Sequence, residues 1–587
     1  MSAPFDKQNF KKNAHAASAA NQLLAYLHKE QAHLANPCFD EICQSLTELH
    51  NLNQLNLITH INSDELPSGA NRDFWLIQNL FCKIAPDLEV DIDSLISAVD
   101  RLVANAGQDL CANQPNVAFR EWLKKRPEET STVLERLKHG NDQLLPFLTF
   151  VLEAGATIDM EIYHSAAQAF LTDTRPLARL SALTALGQID ATSNKALHIS
   201  GLQDLACFIE QAKSKDEIAA AIRALLDNSA RGQFLKDADV IRLIELATQN
   251  ASPALHHNLA MMLGQHHMAF STPIKLGMIS ALNASDPSIK DIVDQIDYAF
   301  SQCLDPENRT AIATCLQQLL DHPKTPLQIS DLENFVHNLA ENHTDTLGWL
   351  VVHWLRNGNH ATRSALPALF HRSIKKDHTL HINLDPFNFS DAELIFISRK
   401  ALGYFLIETT TVTSLLISFL RAVSKKDAAQ EIAELLVEPL MINFPGQARD
   451  VVEQAAQTKD KGQQHLQAAL KAHETYLDDL RSIPEIKELW PSGIQQQVQN
   501  KRQKKLISQL YKKAESSSVL LSLASKQTLL YKVGSITYIR NSNGELERNE
   551  HRLSSYSTSI EFPRLDHIAP LQYHSRIIEF RTETFDS

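Results

Sequence analysis

The chain has 587 residues, 44% hydrophobic and 21% charged, proportions that indicate a folded protein rather than a disordered one. Its 56 basic and 69 acidic side chains leave a net charge of −13, which disfavours non-specific binding to nucleic acid or to an anionic membrane. Only 17 residues are glycine, which argues against folds rich in tight turns or glycine-lined phosphate loops. We therefore expect a mostly α-helical protein.

The first 112 residues are predicted to form an N-terminal helical region. Apolar residues recur at helical spacing, with loop signals around Gly69 and Gly107 between them. The predicted helices span residues 17–34, 39–52, 71–84 and 92–106.

Residues 113–385 show a pattern that recurs. Counted from Pro176 and again from Pro253, apolar residues, a small residue near the middle and a closing glycine stand at the same offsets. Proline suits the first turn of a helix, and small residues allow close helix packing. Gly187 and Gly264 are predicted to end their helices with a positive φ. The spacing predicts helical hairpins in succession, with helices over 128–139, 143–154, 159–171, 176–189, 215–228, 238–248 and 254–267.

The first of these units resembles the HEAT family of helical repeats, whose second helix opens Asp-x-x-Pro and carries an arginine followed by Ala-x-x-Ala-Leu-Gly. The matching positions are Asp173, Pro176, Arg179, Ala182, Ala185, Leu186 and Gly187. Asp305 and Pro306 resemble another opening, and residues 214–228 a weaker one without the proline. The prolines lie 77 and 53 residues apart, so the period is irregular and the resemblance covers roughly residues 120–375. It implies an α-solenoid, which is an architecture and not an activity.

Residues 386–525 are predicted to be a second helical region. Ser390 is placed to cap a helix that begins after an inter-unit loop over 371–390. The apolar stretch 402–420 is interrupted by Glu408 and several hydroxyls, which favours a buried helix pair over a membrane span. The predicted helices span residues 392–407, 412–423, 426–440, 447–457, 461–481 and 494–514.

Residues 526–587 change character, and a small β-rich module is predicted there. Runs over 527–533 and 535–539 are rich in β-branched and aromatic residues, and 541–544 suit a hairpin connection. Further strands are expected over 556–562 and 576–581.

The seven cysteines are odd in number and widely spaced, which favours reduced thiols in a cytoplasmic protein. No secretory signal is evident at the N-terminus. The sequence contains no phosphate loop, dinucleotide fingerprint, nucleophile elbow, His-Glu-x-x-His or Cys-x-x-Cys motif. We therefore expect no catalytic residues, no cofactor and no metal.

Three groups of histidines are candidate metal sites. The pairs at 256–257 and 266–267 lie about 16 Å apart on a helix, too far to share one metal, and His353 and His360 meet the same objection. Packing or surface histidines are the favoured interpretation. His378, His381 and Asp385 are better spaced and lie in a predicted loop, so they are ligand-capable, although an ordinary polar loop is favoured.

A basic cluster stands out against the acidic background. It has six positive side chains and no acid within thirteen residues, and Leu506, Leu510 and Tyr511 are predicted to form an apolar stripe beside it. Residues 484–587 carry 15 basic and 11 acidic side chains, and the preceding residues carry 41 and 58. The basic cluster consists of Lys501, Arg502, Lys504, Lys505, Lys512 and Lys513.

Three interpretations of the basic cluster remain open: a solvated helix face, a contact with an acidic protein surface, or a contact with nucleic-acid phosphates. The leading prediction for the whole chain is a cytoplasmic, non-enzymatic scaffold or adaptor subunit that binds another protein, without a membrane partner. The alternative is a nucleic-acid-binding subunit of a multi-protein machine acting through the basic cluster. A hydrolase using His378, His381 and Asp385 is a third hypothesis. The sequence identifies neither the partner nor the oligomeric state.

Overall fold

A computed structural model describes most of the chain, in two compact units, Met1–Ile374 and Lys375–Ser587. The described residues are 6–29, 38–64, 66–67, 69, 72–107, 109, 111–232, 235–370, 379–380, 382, 384–484, 486, 491–516, 534–540, 546–552 and 563–585.

The first unit is helical throughout its described residues, as the composition predicts. Short 3₁₀ turns join several of its helices, as at Asp142–Phe147, where Pro146 lies inside the turn. The helices are α1 Lys7–Ala19, α2 Leu23–Lys29, α3 Phe39–Asn51, α4 Leu57–Ile61, α5 Arg72–Ile84, α6 Ile92–Ala106, α7 Gln114–Lys124, α8 Pro127–Lys138, α9 Leu148–Ile158, α10 Met160–Phe170, α11 Pro176–Gln188, α12 Lys195–Gln211, α13 Lys215–Arg231, α14 Asp237–Thr248, α15 Pro253–Gln265, α16 Thr272–Ala281, α17 Lys290–Gln302, α18 Arg309–Leu320, α19 Glu333–Asn342, α20 Thr344–Asn357 and α21 His360–Ala365.

The odd-numbered helices of the first unit form one continuous row. Each odd-numbered helix from α1 to α17 packs against the next odd-numbered helix, so the row runs from α1 to α19. From α10 to α18 the even-numbered helices pack in the same way and form a second row. Successive helical pairs therefore stack on their neighbours, which is the packing that the HEAT-like resemblance implies. The odd-numbered row begins at α1, well before the residues that carry the resemblance.

The repeat is more regular than the prolines suggest. The odd-numbered helices α11, α13, α15 and α17 begin at residues 176, 215, 253 and 290, which lie 39, 38 and 37 residues apart. Pro176 and Pro253 are therefore two repeats apart, and the intervening helix α13 begins without a proline. The expected opening at Asp305 and Pro306 is wrong, because those residues precede α18, which begins only at Arg309 and belongs to the other row.

Gly187 and Gly264 lie one residue before the ends of their helices, close to the predicted place, but neither adopts a positive φ. Both lie inside α11 and α15, and the positive-φ glycines of the described chain are Gly107 and Gly140. A Cβ atom at Gly187 would lie 2.9 Å from the Cα atom of Ala224 in α13. Glycine is thus required there by the close approach of two neighbouring helices.

Polar side chains connect consecutive repeats. Arg179 in α11 donates to Glu217 in α13, and Asn228 in α13 donates to the carbonyl oxygen of Leu186 at 2.8 Å. The carboxylate of Asp297 in α17 accepts hydrogen bonds from the first turn of α19, including the amide of Phe335 at 2.7 Å. Because each bond joins residues about one repeat apart, these contacts maintain the register between neighbouring pairs.

The second unit contains a helical body, a β-hairpin and a C-terminal helix. Ser390 and Glu393 form a capping box at the start of α22, which confirms the predicted cap. The elements are α22 Asp391–Phe405, α23 Thr409–Ala422, α24 Lys426–Leu435, α25 Gln447–Ala456, α26 Gln463–Ser482, α27 Gly493–Ser516, β1 Gly534–Arg540, β2 Leu546–Arg552, α28 Leu565–Ile568 and α29 Pro570–Thr582.

The C-terminal helix α29 packs on α22 and is held there by Lys400. The Lys400 side chain is fully buried, and its ammonium donates to the carbonyl oxygens of Phe580 and Arg581, each at 2.9 Å, and to that of Glu583. Last-turn carbonyls have no partner within their own helix, and a cation there also complements the helix dipole. Arg399 adds ion pairs to Glu583, at 2.7 Å, and to a glutamate of α24.

The predicted C-terminal module is only partly β-structured. Strands β1 and β2 pair antiparallel, with Gly534 opposite Arg552 and Arg540 opposite Leu546, which includes the predicted strand over 535–539. The predicted strand over 576–581 is wrong, because those residues lie in α29. The predicted strands over 527–533 and 556–562, and the turn over 541–544, lie outside the described residues. The described part of this region is a two-stranded hairpin followed by helices.

Two further predictions change in detail. The predicted helix over 17–34 breaks at residues 20–22 between α1 and α2, where Asn21 has a φ of +54°. The apolar stretch 402–420 belongs to α22 and α23, whose inner faces are buried. Among the described residues, no helix combines the length and apolar character needed to cross a lipid bilayer.

Candidate functional site

The basic cluster lies on α27, a helix of 24 residues in the second unit. A capping box starts this helix. The Ser492 hydroxyl accepts from the amide of Gln495 at 3.3 Å, and the Gln495 side chain accepts from the amide of Ser492 at 2.9 Å. This cap satisfies backbone groups at the start of the helix that have no partner within it, which stabilises the helix.

Every side chain of α27 that the structure describes is exposed. Five members of the basic cluster are among them, and the side chain of the sixth, Lys513, lies outside the described part. So do the side chains of Leu506, Leu510 and Tyr511, which the sequence places in an apolar stripe. The exposed members are Lys501, Arg502, Lys504, Lys505 and Lys512.

The helical period aligns part of the basic cluster with apolar residues that the sequence interpretation missed. At 100° per residue, one stripe about 80° wide follows the spacing of four, three, four, three and four residues along α27. Its side chains are all exposed, with Ile494 at 76% and Val498 at 57%. We call it the α27 stripe, and it consists of Ile494, Val498, Lys501, Lys505, Ser508 and Lys512.

Two other side chains of α27 lie off this stripe. Lys504 lies about 80° from the centre of the stripe, and Ile507 about 140° on the far side of the helix. Both are exposed, Ile507 at 48%. One is basic and the other apolar, like the residues of the stripe, and both are close to stripe residues in the sequence. They lie on other faces of the same helix.

Exposed apolar side chains also precede α27. Leu480, Ile483 and Ile486 are 38%, 63% and 48% exposed at the end of α26 and in the residues that follow. Together with Ile494, Val498 and Ile507 they are the largest group of exposed large apolar side chains along the described chain.

The histidines singled out in the sequence do not assemble into a shared centre within the described chain. His256 is buried in α15, and burial lowers the pKa of its imidazole. His266 lies 3.5 Å from a carboxylate oxygen of Asp227, and the ring of His353 stacks on Trp349 at 4.5 Å. No three histidine, cysteine, aspartate or glutamate side chains in the described residues are grouped to hold a metal ion.

The residues of the predicted ligand-capable loop, His378, His381 and Asp385, lie largely outside the described part of the chain. His378 and His381 lie outside the described residues, as does the side chain of Asp385, whose backbone begins a short 3₁₀ turn, Asp385–Phe387. Their predicted ligand capacity stays a prediction.

The seven cysteines are all free thiols. Burial is the first cause of the raised pKa of Cys43, to about 11, and of Cys82, to about 12. Cys111 and Cys207, by contrast, are exposed. A thiol with a raised pKa holds its proton near neutral pH and reacts slowly.

Comparison with known proteins gives little further information. No protein-family model matches the chain, and no curated protein matches it. Two matching solved structures are of the karyopherin Kap121p. One, bound to the extreme C-terminus of the protein phosphatase Cdc14p, is 14% identical over 75% of this chain and 55% of that chain, with a TM-score of 0.25. The other is 13% identical over 81% and 56%, with a TM-score of 0.26.

The chain thus spans a little over half the length of these two structures. At TM-scores this low, the likeness carries no conclusion about what this protein binds or where it acts.

Proposed function

We propose that the protein is a non-enzymatic helical-repeat scaffold that binds another protein. The observation that carries the proposal is the continuous row of odd-numbered helices from α1 to α19, with a second row packed beside it. In such stacks each pair buries its apolar face against its neighbours and leaves an extended surface of repeated helices for a partner. A cytoplasmic setting is part of the proposal and is supported by the seven free thiols.

The chain also has a second, separate exposed element. Helix α27 is 24 residues long, and its described side chains are all in solvent. Its basic cluster contrasts with the net negative charge of the preceding residues. The proposed scaffold therefore has two candidate contact surfaces, the stacked helical rows and α27.

The proposal is tested by purifying the tagged full-length protein from its native host, with and without nuclease treatment. We expect a protein partner in stoichiometric amount that survives nuclease and re-forms the complex when both purified proteins are mixed. Size-exclusion chromatography with light scattering measures the mass of that complex. If only nucleic acid co-purifies, or if every protein partner is lost after nuclease treatment, the scaffold proposal fails and the nucleic-acid alternative replaces it.

A further inference from the structure

We propose that the contact between α10 and α12 in the even-numbered row is a pH-sensitive joint, closed near neutral pH and opened by acid. Each helix brings one buried histidine to this contact, His164 from α10 and His198 from α12, with exposed fractions of 3% and 2%. The joint does not depend on which partner the protein binds, so the proposal goes beyond the scaffold function given above.

The two helices approach each other closely at this point. A Cβ atom at Gly201 in α12 would lie 2.9 Å from Nε2 of His164, so this imidazole lies directly against the backbone of α12. His198 lies three residues before Gly201 and therefore on the same face of α12. One turn beyond His164, the side-chain amide of Gln168 donates to a carboxylate oxygen of Asp204 in α12 at 2.6 Å. Both histidines thus belong to a contact that a polar bond also holds closed.

Protonation destabilises the closed contact because it places charge on buried rings. Burial is the first cause that lowers the pKa of both imidazoles, and the positive charge of a protonated His198 lowers the pKa of His164 further. In addition, Nδ1 of His164 is buried and has no hydrogen-bond partner among the described residues. A proton bound at that nitrogen needs an acceptor, which water supplies once the two helices separate.

The other charged groups that act on the two rings do not reverse this effect. Asp204 of α12 acts on His164, and Asp190, which follows α11, acts on His198, each in favour of the protonated ring. Both carboxylates already accept hydrogen bonds from other side chains. Arg231, at the end of α13, adds a positive charge that opposes protonation of His198. The pKa of both rings is therefore lowered in the closed contact.

The direction of the pH effect follows from these lowered pKa values. The open contact, with its rings in water, binds protons more readily than the closed one. The stability that depends on the neutral rings is fully present above the ordinary pKa of 6.5, and it is lost as the pH falls from that value through the lower pKa of the closed state. At pH 5.5 an imidazole of ordinary pKa is charged about ten times more often than it is neutral. Each histidine can therefore favour opening by up to about tenfold.

The odd-numbered row carries no such group at this level. Helices α9, α11 and α13 pack in sequence along that row, and none of them contains a histidine. The hydroxyl of Thr149 in α9 donates to the carbonyl oxygen of Ser181 in α11 at 3.0 Å, and this bond does not titrate near neutral pH. Acid therefore opens one row while the other stays packed. The joint acts as a hinge that changes the spacing between two neighbouring helical pairs.

The test is hydrogen exchange of the full-length protein, followed by mass spectrometry at pH 7.5 and 5.5. Each exchange rate is divided by the intrinsic rate of the same peptide at the same pH, which gives a protection factor. From pH 7.5 to 5.5 we expect the protection of α10 and α12 to fall at least about fivefold. At pH 5.5 the amides of α11 should stay better protected than those of α10 and α12.

A double variant, His164→Gln with His198→Gln, removes both titrating rings and keeps side chains that can form hydrogen bonds. Its protection in α10 and α12 should fall less than about twofold over the same pH range. Each single variant should show an intermediate loss, which provides the comparison if the double variant does not fold. The matched control is His256→Gln, which removes a buried histidine from α15 and should leave the loss in α10 and α12 as in the wild type. Circular dichroism at pH 7.5 shows which variants are folded.

The proposal is overturned if the wild type keeps its protection in α10 and α12 at pH 5.5, or if α11 becomes as poorly protected as they are. It also fails if folded variants that lack these histidines lose as much protection as the wild type. If His256→Gln reduces the loss as strongly as His164→Gln does, exchange occurs by unfolding of the whole first unit, and the joint is refuted. None of these results involves a protein partner, so they leave the test of the scaffold proposal separate.

Discussion

The guanidinium of Arg179 and the carboxylate of Glu217 join two consecutive helical repeats. Nε and Nη2 of Arg179 donate to the same oxygen of Glu217, at 2.9 Å and 2.6 Å, and Nη1 donates to the carbonyl oxygen of Asp173 at 2.7 Å. The Glu217 side chain is 8% exposed and that of Arg179 is 23% exposed. The arginine therefore connects the loop that precedes its own helix to the helix one repeat later.

Arg179→Ala is expected to destabilise the first unit by about 2 to 3 kcal/mol, because it leaves the carboxylate of Glu217 buried without its charged partner. The matched control is Arg242→Ala. Arg242 pairs with Glu210 at 2.7 Å, but both side chains are largely exposed, so its loss should cost less than about 1 kcal/mol. Urea unfolding measures both changes. Equal losses for the two variants would show that the Arg179 pair is no stronger than a surface pair.

Gly187→Ala is expected to destabilise the protein by about 1 to 3 kcal/mol, since the new methyl group would press on the backbone of α13. Gly277→Ala is the control inside another helix. Its methyl group would lie 3.5 Å or more from Ile241, an ordinary contact. That variant should gain up to about 1 kcal/mol from helix propensity. Thermal melting distinguishes the two, and a stabilised Gly187→Ala variant would refute the close approach of α11 and α13.

Thiol labelling should divide the cysteines by burial. Cys111 and Cys207 are exposed and should react with iodoacetamide at least about tenfold faster than Cys82 and Cys315. Burial raises the pKa of both slow thiols, and Cys315 is fully buried. Peptide mass spectrometry after a short labelling pulse measures each site, and full labelling is expected once urea unfolds the chain. Fast labelling of Cys315 in the native protein would contradict the packing of α18.

Stability should fall as the pH drops below neutral, in part because of His256. Burial lowers the pKa of this imidazole below its ordinary value of 6.5, so the unfolded chain binds the proton more readily than the folded one. The stability that depends on the neutral imidazole is therefore fully present above the ordinary pKa, and it is lost as the pH falls from that value through the lower pKa of the folded state. Urea midpoints at pH 7.5 and 5.5 measure the effect, and His256→Leu should lose less stability than the wild type. An identical pH dependence in the variant would remove His256 as a contributor.

The sequence predicts helix positions best where a capping or N1 residue precedes a long apolar face. Helix α6, for example, is predicted over 92–106 and observed over Ile92–Ala106. The sequence does not predict α12, because Gly201 in the interior of that helix weakens the helical pattern. A Cβ atom at Gly201 would lie 2.9 Å from Nε2 of His164, so contact with the neighbouring helix α10 explains the glycine. Such tertiary requirements are not visible in local spacing.

The candidate site, too, is only partly predictable from the sequence. Charge composition alone identifies the basic cluster, and the structure places its described members in solvent. The apolar half of the stripe was missed because apolar residues at helical spacing usually predict a core face. Only the structure shows that Ile494 and Val498 are exposed, at 76% and 57%.

The C-terminal helix gives the reason for one wrong prediction. Residues 576–581 form a short apolar run that suits a strand, and local spacing cannot distinguish it from a helix. The deciding contact comes from Lys400, about 180 residues away, whose ammonium binds the last carbonyls of α29. No local pattern contains that information.

The same long-range contact implies that the two units differ in when their helices can pack during synthesis on the ribosome. In the first unit the neighbour that a helix needs has usually emerged about 40 residues earlier, so helical pairs can pack one after another as the chain lengthens. In the second unit the ammonium of Lys400 obtains its partners only when residues 580–583 have been translated. Until then the ammonium of Lys400 lacks these acceptors, and α22 lacks the helix that packs on it. We therefore expect α22 to complete its packing only after residues 570–583 have been synthesised, whereas a helical pair of the first unit can pack on a neighbour made about one repeat earlier.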